Sequence, residues 1–269
     1  MNTSVPTILV WDTNGIDAIV RGIVHRINNT GEPGSPPNRR EEFLAVFGIV
    51  FDGFRDRLQC ANHTSDRVFA DEVNPQLVGC HLRNGHPLVE TYCAQIEFIH
   101  RWGATIEEKI PAEIAEDNEI EDMRHLMEED VGRKDASLVV VALKLGNESE
   151  RPTMIVTDDS KLAEQIINLR KRYEIVEVGG SQHQTRFVAT SFSIQLLREL
   201  HLSCGIDNDT WHHIMMSFKR HHNGRYEEAA RGHDRRVIEF FATFHDDCEE
   251  KARRAITREM EQAFGVNDG

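Results

Sequence analysis

Three aspartates lie at positions where a carboxylate can take part in chemistry. Asp12 follows the apolar run P-T-I-L-V-W, Asp135 precedes the run A-S-L-V-V-V-A-L, and Asp159 closes the T-D-D that follows P-T-M-I-V. Acids that end strands of a parallel sheet lie where such sheets bind their ligands. A group of carboxylates supplies the hard oxygen ligands that divalent cations prefer. Each aspartate alone also suits a turn or the start of a helix, so a purely structural role is the competing interpretation.

The pattern around these acids alternates between strands and helices. Short apolar runs predict strands at 6–11, 152–156, 174–178 and 187–190, with a further short strand at 68–70. Apolar residues at helical spacing predict helices at 16–27, 41–58, 72–80, 88–102, 136–145, 160–170 and 191–201, and the acidic segment 107–130 is also predicted to be helical. This alternation predicts an α/β fold, a three-layer sandwich with a mostly parallel central sheet.

The character of the sequence changes after residue 204. Strand patterns stop, histidine and arginine become frequent, and apolar residues recur every three or four positions, namely Val237, Phe241, Phe244, Cys248, Ala252, Ile256 and Met260. We therefore predict one domain over 1–204 and a helical C-terminal extension over 205–269. The apolar stripe must pack against that domain, a second copy of the chain in a homodimer, or a partner protein. Residues 28–39, rich in Asn, Gly, Pro and Ser, predict an exposed loop.

Composition limits the class of protein. Hydrophobic residues make up 39% and charged residues 28% of the chain, which is typical of a globular protein in solution. No apolar run approaches the roughly 20 residues that span a bilayer. The start has no signal-peptide pattern, so we expect a cytoplasmic protein without a membrane partner. Five scattered cysteines indicate reduced thiols. A net charge of -14 argues against a general nucleic-acid binder, although an enzyme that clusters carboxylates is expected to be locally acidic.

The three acid segments, taken in this order, resemble the PIN-domain family of nucleases. Members carry an Asp after the first strand, often in D-T-N as at Asp12, an Asp opening a D-A-x-hydrophobic helix as at Asp135, and a T-x-D after a later strand as at Asp159. The resemblance covers residues 6–202, and 30–130 contribute little to it. It implies a PIN-like nuclease domain and a Mg²⁺- or Mn²⁺-dependent endoribonuclease that hydrolyses RNA or another single-stranded nucleic acid. A toxin or a defence effector is one biological setting for such an enzyme.

The resemblance also assigns roles to individual residues. Asp12, Asp135 and Asp159 match the metal-binding acids of the family. Asp158 matches a polar position that assists catalysis through water, and Thr157 matches the threonine that hydrogen-bonds the acid after the first strand. One or two Mg²⁺ or Mn²⁺ ions held by such acids stabilise an in-line transition state and generate hydroxide near neutral pH.

Other implied site residues lie outside the three acid segments. Asn14 is expected to hold the loop that carries the first acid. The family's second acid, a Glu early in the helix after the second strand, aligns with Gln76, and Glu72 one helical turn earlier is its expected substitute in catalysis. Substrate contacts are expected from the basic residues that follow the third acid's helix, Arg170, Lys171 and Arg172.

Two other functions compete with this one. A haloacid-dehalogenase-like phosphatase also has an Asp after its first strand, a later Lys and an acidic pair, which Asp12, Lys134 and the pair 158–159 imitate. Its D-x-D signature requires a second Asp as general acid, and Asn14 occupies that position. A catalytically degenerate PIN-like scaffold or regulatory subunit is indicated by Gln76 and by the net charge of -14.

Overall fold

The computed structural model describes residues 7–16, 19, 23, 39–69, 108–127, 131–191 and 193–221. The strands are β1 (Ile8–Trp11), β2 (Ala61–Ser65), β3 (Ala112–Glu113), β4 (Thr153–Val156), β5 (Ile175–Val178), β6 (Ser181–Gln184) and β7 (Val188–Ser191). The longer helices are α1 (Arg39–Asp56), α2 (Asp117–Met127), α3 (Arg133–Ser149), α4 (Ser160–Arg172), α5 (Ser193–Leu202) and α6 (Asn208–His221). A helical turn, Asp66–Val68, follows β2, and a 3₁₀ turn, Thr185–Phe187, precedes β7.

Five strands form one parallel sheet in the order β3-β2-β1-β4-β7. Ile8 of β1 pairs with Ala61 of β2 on one side and with Thr153 of β4 on the other. All residues of β1 and β4 are buried, as expected for apolar strands between two helical layers. The chain fills one half of the sheet with β2 and β3, and then crosses β1 to add β4 and β7. The strand order reverses between β1 and β4, and open α/β sheets bind ligands beyond the strand ends at such a point.

Helix α1 covers one face of the sheet with aromatic side chains. Phe51 and Phe54 each pack against Trp11 with ring centroids 5.2 Å apart. Phe47 and Val50 are also buried, which confirms the apolar stripe predicted for this helix. Complete burial of one such side chain stabilises the fold by about 1.5–3 kcal/mol. Helix α5 packs on α1 and extends this layer.

Helix α3 lies on the opposite face and is buried around most of its circumference. Every residue from Ala136 to Leu143 is buried, and a helix that is apolar all round is a core helix. Helix α2 and strand β6 pack on α3, and α4 contributes side chains to the same core cluster. A parallel sheet flanked by helices confirms the predicted α/β sandwich.

The second strand of the sheet is β2, and the strand predicted at 68–70 is wrong because Val68 lies in a helical turn. The sequence of β2, A-N-H-T-S, contains no apolar run. Its buried polar groups bond to distant partners: Asn62 accepts from Trp11 Nε1 at 3.0 Å, and Thr64 donates to the Trp11 carbonyl at 2.7 Å. These partners lie 51 and 53 residues away in sequence, so a local pattern does not reveal the strand.

Two further predictions need correction. The acidic segment 107–130 is not helical throughout, because the edge strand β3 precedes α2. The strand predicted at 174–178 exists as β5, but it pairs antiparallel with β6 in a separate hairpin. Gly179 and Gly180 form the hairpin turn with φ of 57° and 75°, a conformation that glycine adopts without steric cost. The other predicted strands and the helices that correspond to α1, α3, α4 and α5 are confirmed.

The predicted boundary after residue 204 falls between α5 and α6, which contact each other. Trp211 of α6 is buried and stacks on His201 of α5 with ring centroids 5.3 Å apart. The first part of the predicted extension therefore packs on the domain. The described residues do not include most of the predicted loop at 28–39, the predicted helices at 72–80 and 88–102, or the apolar stripe of the extension. In the described ranges, no helix has the length and apolar character needed to cross a membrane.

Candidate functional site

Asp12 lies directly beyond β1, where the strand order reverses. Its backbone N–H donates to the Val156 carbonyl at 3.0 Å, so it extends the pairing of β1 with β4 by one residue. Only 6% of Asp12 is exposed, and a buried carboxylate requires hydrogen-bond donors. Thr157 Oγ1 donates to Asp12 Oδ2 at 2.7 Å. The hydrogen bond that the resemblance implies between these residues is therefore present.

Thr157 connects the ends of three neighbouring strands. Its backbone N–H donates to the carbonyl of Ser191 at the end of β7 at 3.0 Å. Its hydroxyl donates to Asp12 and accepts from the backbone N–H of Asp159 at 3.0 Å. One buried hydroxyl therefore fixes the position of the first acid relative to the third.

The turn after Asp12 packs closely against β4 because residue 15 is a glycine. Asn14 Nδ2 donates to Asp12 Oδ2 at 3.3 Å, in agreement with the predicted role of this residue in the loop. A Cβ on Gly15 would lie 2.9 Å from the Val156 carbonyl oxygen and 3.4 Å from the Trp11 ring. Contacts at 2.9 Å are too close for a real Cβ, so a glycine is required for this approach.

Asp159 is the N-cap of α4. Its Oδ1 accepts hydrogen bonds from the backbone N–H groups of Lys161 at 2.8 Å and Leu162 at 3.4 Å. An N-cap of this kind stabilises a helix by about 1 kcal/mol. The cap uses one carboxylate oxygen, so Oδ2 takes no part in it.

Asp135 lies in the first turn of α3, but it is not the N-cap, which is Gly132. The same turn is attached to the sheet by a hydrogen bond between Ser137 Oγ and Ser65 Oγ, 2.7 Å apart. Because Ser65 ends β2, this bond holds the start of α3 at the carboxyl edge of the sheet. Asp135 is thus brought to the edge at which the other two acids lie.

The charges of neighbouring acids contribute to raised pKa values at Asp12 and Asp135. Burial, together with the charges of Asp135 and Asp159, raises the pKa of Asp12 to about 6, although the hydrogen bond from Thr157 opposes the rise. Burial and the charge of Asp159 likewise raise the pKa of Asp135. Acids from three separate segments therefore share one electrostatic environment. Raised pKa values of this origin are common at functional sites.

Asp158 contacts a different element. Its Oδ1 accepts from the backbone N–H of Ser193 at 3.1 Å, and its Oδ2 accepts from Ser193 Oγ at 2.6 Å. Both oxygens therefore hold the start of α5 against the turn between β4 and α4. The assisting role in catalysis predicted for Asp158 remains a prediction.

The basic residues near the acids differ from the predicted ones. Lys134 and Lys161 lower the pKa of Asp135 through their charges. Each lysine lies within two sequence positions of a site acid. This short spacing could have identified both lysines from the sequence. The predicted substrate contacts, Arg170, Lys171 and Arg172, occupy the last turn of α4. Eleven residues at 1.5 Å each put Arg170 about 17 Å along the helix from Asp159. These residues therefore lie at the end of α4 far from Asp159, and their contact with a substrate remains a prediction.

The predicted metal ligands do not form a tight group. Among the residues that the structure describes, no set of three or more His, Cys, Asp or Glu side chains is arranged to hold a metal ion. Glu72 and Gln76, the expected substitute and the aligned residue for the second family acid, both lie outside the described residues. The described part of the site thus consists of acids that interact electrostatically, each held by its own structural contacts.

Comparison of the chain with protein-family models, with curated proteins and with solved structures gave no match. The chemistry of the site follows from its own residues. A buried carboxylate and a half-buried one, both with raised pKa values, at the edge where open α/β sheets bind ligands are suited to binding a cation or to accepting a proton.

Proposed function

We propose that this chain is a Mg²⁺- or Mn²⁺-dependent endoribonuclease of the PIN-like type. The supporting observation is that Asp12, Asp135 and Asp159, from three separate segments, lie at the carboxyl edge of the sheet where the strand order reverses, and that the charges of Asp135 and Asp159 contribute to the raised pKa of Asp12. Hydrolysis of a phosphodiester requires charge stabilisation at phosphorus and an activated water, and clustered carboxylates with a divalent cation supply both. RNA is the proposed substrate because the resemblance implies ribonucleases more often than deoxyribonucleases.

In this proposal the three acids hold the cation, directly or through its bound waters, and the remaining residues act through them. Thr157 is a positioning residue, because its hydroxyl bonds to both Asp12 and the backbone of Asp159. Asn14 adds a second donor to Asp12 Oδ2. Their donation stabilises the ionised form of Asp12, which is the form that binds a cation.

The donor set fits Mg²⁺ or Mn²⁺ in its chemistry. All three side chains offer carboxylate oxygens, and Asp159 keeps Oδ2 outside the helix cap. Mg²⁺ usually retains several waters and binds through one or two carboxylates, so acids that interact without forming three direct ligands are compatible with it. A cation bound here would offset the repulsion that raises the pKa of Asp12, and would supply positive charge to a phosphate and acidify water.

Cleavage of a panel of single-stranded RNA and DNA with Mn²⁺ tests the proposal. Wild type is compared with Asp12→Asn and Asp159→Asn, because asparagine preserves the shape of the side chain and also caps helices well. Asp56→Asn is the matched control, since Asp56 is exposed at the end of α1 and remote from the acids. We expect wild type and D56N to cleave RNA equally, and both site variants to lose cleavage while remaining folded.

Two results would change this conclusion. Undiminished cleavage by both D12N and D159N would overturn the assignment of the site. A wild type that cleaves none of the substrates would favour the degenerate scaffold, for which Gln76 at the aligned position of the second acid and the net charge of -14 are the supporting observations. Stabilisation of that protein by Mn²⁺ would then separate a metal-binding scaffold from one without a metal site.

A further inference from the structure

Two arginines lie at the carboxyl edge of the sheet, on the side of β2. Arg67 belongs to the helical turn that follows β2, and Arg133 is the first residue of α3. The hydrogen bond between Ser65 Oγ and Ser137 Oγ, 2.7 Å apart, joins these two segments, because Ser65 ends β2 and Ser137 lies one helical turn after Arg133. Folding thus brings together two arginines that are far apart in the sequence.

Both guanidinium groups bind the same carboxylate oxygen. Arg133 Nη2 lies 2.8 Å from Asp117 Oδ1, and Arg67 Nη2 contacts the same oxygen. Asp117 is the first residue of α2, and 66% of its side chain is exposed. Arg133 Nε also lies 3.5 Å from Glu121 Oε1. Two arginines that converge on one exposed oxygen form a binding site for an anion, which the carboxylate of Asp117 occupies.

The donors of this site suit a phosphate. Asp117 offers a single oxygen to both arginines, and Arg67 Nε is buried without a hydrogen-bond partner among the residues that the structure describes. A phosphodiester presents two free oxygens, and arginine binds phosphates through two parallel N–H···O hydrogen bonds. An exposed ion pair contributes little to stability, so the carboxylate can leave the arginines at small cost.

The position of the arginines relates them to the proposed site. Strand β2 pairs with β1, beyond which lies Asp12, and Asp135 is two residues after Arg133 in the first turn of α3. Neighbouring strands lie about 4.8 Å apart, so the turn after β2 is beside the turn that carries Asp12. A nucleic-acid strand bound at the acids can therefore place a neighbouring phosphate at the arginines. Because the chain has a net charge of -14, such contacts are needed to hold a polyanion.

We propose that Arg67 and Arg133 bind one phosphate of a single-stranded RNA in the place of the Asp117 carboxylate, which moves away when the RNA binds. This inference rests on the proposed nuclease function for the identity of the ligand, and it deepens that function by assigning residues that bind the substrate backbone. Phosphate contacts fix the position of a nucleic acid without reading its sequence. In the absence of RNA, Asp117 offsets the repulsion between the two guanidinium groups.

The test is the binding of a fluorescein-labelled single-stranded RNA in EDTA, measured by fluorescence anisotropy at several salt concentrations. EDTA removes divalent cations, so binding is measured separately from catalysis. Arg67→Ala and Arg133→Ala remove the proposed contacts, and Asp117→Asn removes the competing charge. Arg55→Ala and Asp56→Asn are the matched controls, because Arg55 and Asp56 also form an exposed ion pair but lie at the end of α1, near the amino edge of the sheet.

The arginine and aspartate variants should change the affinity in opposite directions. R67A and R133A should each raise the Kd about tenfold relative to R55A, as is typical for the loss of hydrogen bonds to a charged group. The slope of log Kd against log salt should become less steep by about 0.7 in the double variant, because one phosphate contact is lost. D117N should lower the Kd about fivefold relative to D56N, the effect of removing a unit charge at about 4 Å in water. These two asparagine variants change the net charge equally, so general attraction cancels in the comparison.

The outcomes separate this inference from the nuclease proposal. Kd values of R67A and R133A equal to that of R55A would overturn the inference, provided that circular dichroism shows folded variants. A D117N protein that binds no tighter than D56N would also overturn it, because the phosphate and Asp117 would then not share one place. A wild type that does not bind the RNA has the same consequence. If wild type fails to cleave with Mn²⁺ but the three variants change binding as expected, the nuclease proposal fails and the assignment of the arginines stands.

Discussion

Replacement of Asp12 by Asn should make the metal-free protein more stable at neutral pH. Asn has the shape of Asp, and its carbonyl oxygen can accept the hydrogen bond that Thr157 Oγ1 donates at 2.7 Å. What the substitution removes is the negative charge of a side chain that is only 6% exposed. That charge is unfavourable in the folded state because burial and two neighbouring acids disfavour it.

The magnitude follows from the pKa of Asp12, which is about 6 in the folded protein against 3.8 for a solvated Asp. Below pH 3.8 the side chain is neutral in both states and does not affect the free energy of unfolding. Between pH 3.8 and 6 the unfolded chain releases this proton while the folded chain keeps it, so stability falls as pH rises. A difference of about 2 units at 1.36 kcal/mol each gives a penalty of up to ~3 kcal/mol above pH 6. The D12N variant has no ionisable group at this position and therefore does not lose this stability.

The assay is urea unfolding of wild type and D12N in EDTA at several pH values from 4 to 8. The stability gain of D12N should be near zero at the acid end and should rise to as much as ~3 kcal/mol at pH 7.5. Asp56→Asn is the control with the opposite sign, because Arg55 lowers the pKa of Asp56 and its charge is therefore favourable. A gain of D12N that does not depend on pH, or a D12N protein less stable than wild type at pH 7.5, would refute the reasoning.

Two further predictions concern the groups that hold Asp12. Gly15→Ala should lower the free energy of unfolding by about 1–3 kcal/mol, because the new Cβ would lie 2.9 Å from the Val156 carbonyl; an unchanged urea midpoint would contradict this packing. Thr157→Val should destabilise the protein at pH 7.5 by about 1.5–3 kcal/mol and more than Thr157→Ser does, because valine cannot donate to the Asp12 carboxylate. Equal urea midpoints for the valine and serine variants would exclude the hydrogen bond as the cause.

The sequence predicts those parts of the fold whose burial follows from a local run of apolar residues. The runs I-L-V-W and T-M-I-V are buried on both faces, so they are apolar throughout and identify β1 and β4. The apolar stripe of α1 and the all-apolar middle of α3 are equally local signals. The acids Asp12 and Asp159 follow β1 and β4 directly, so predicting the strands also predicted where these acids lie.

Features that depend on distant partners could not be predicted in this way. Strand β2 contains buried Asn62 and Thr64, whose hydrogen bonds to Trp11 exist only after the chain has folded. Strand β5 has a strand-like pattern, but its own residues do not show whether it joins the main sheet or pairs with β6.

The structural and the functional interpretations of the aspartates differ in how they account for the buried charge of Asp12. A cap or a turn explains Asp159, whose Oδ1 bonds to the first turn of α4. The N–H of Ile16 donates to the Asp12 carbonyl at 3.1 Å, so Asp12 also begins a helical turn, but burial and the charges of Asp135 and Asp159 disfavour its side-chain charge in the folded state. An amide at the same position would accept the hydrogen bond from Thr157 without that penalty. A charge that burial disfavours, at a position where an amide would carry none, is typical of a functional group, and under the proposed function a cation bound at the acids would make that charge favourable.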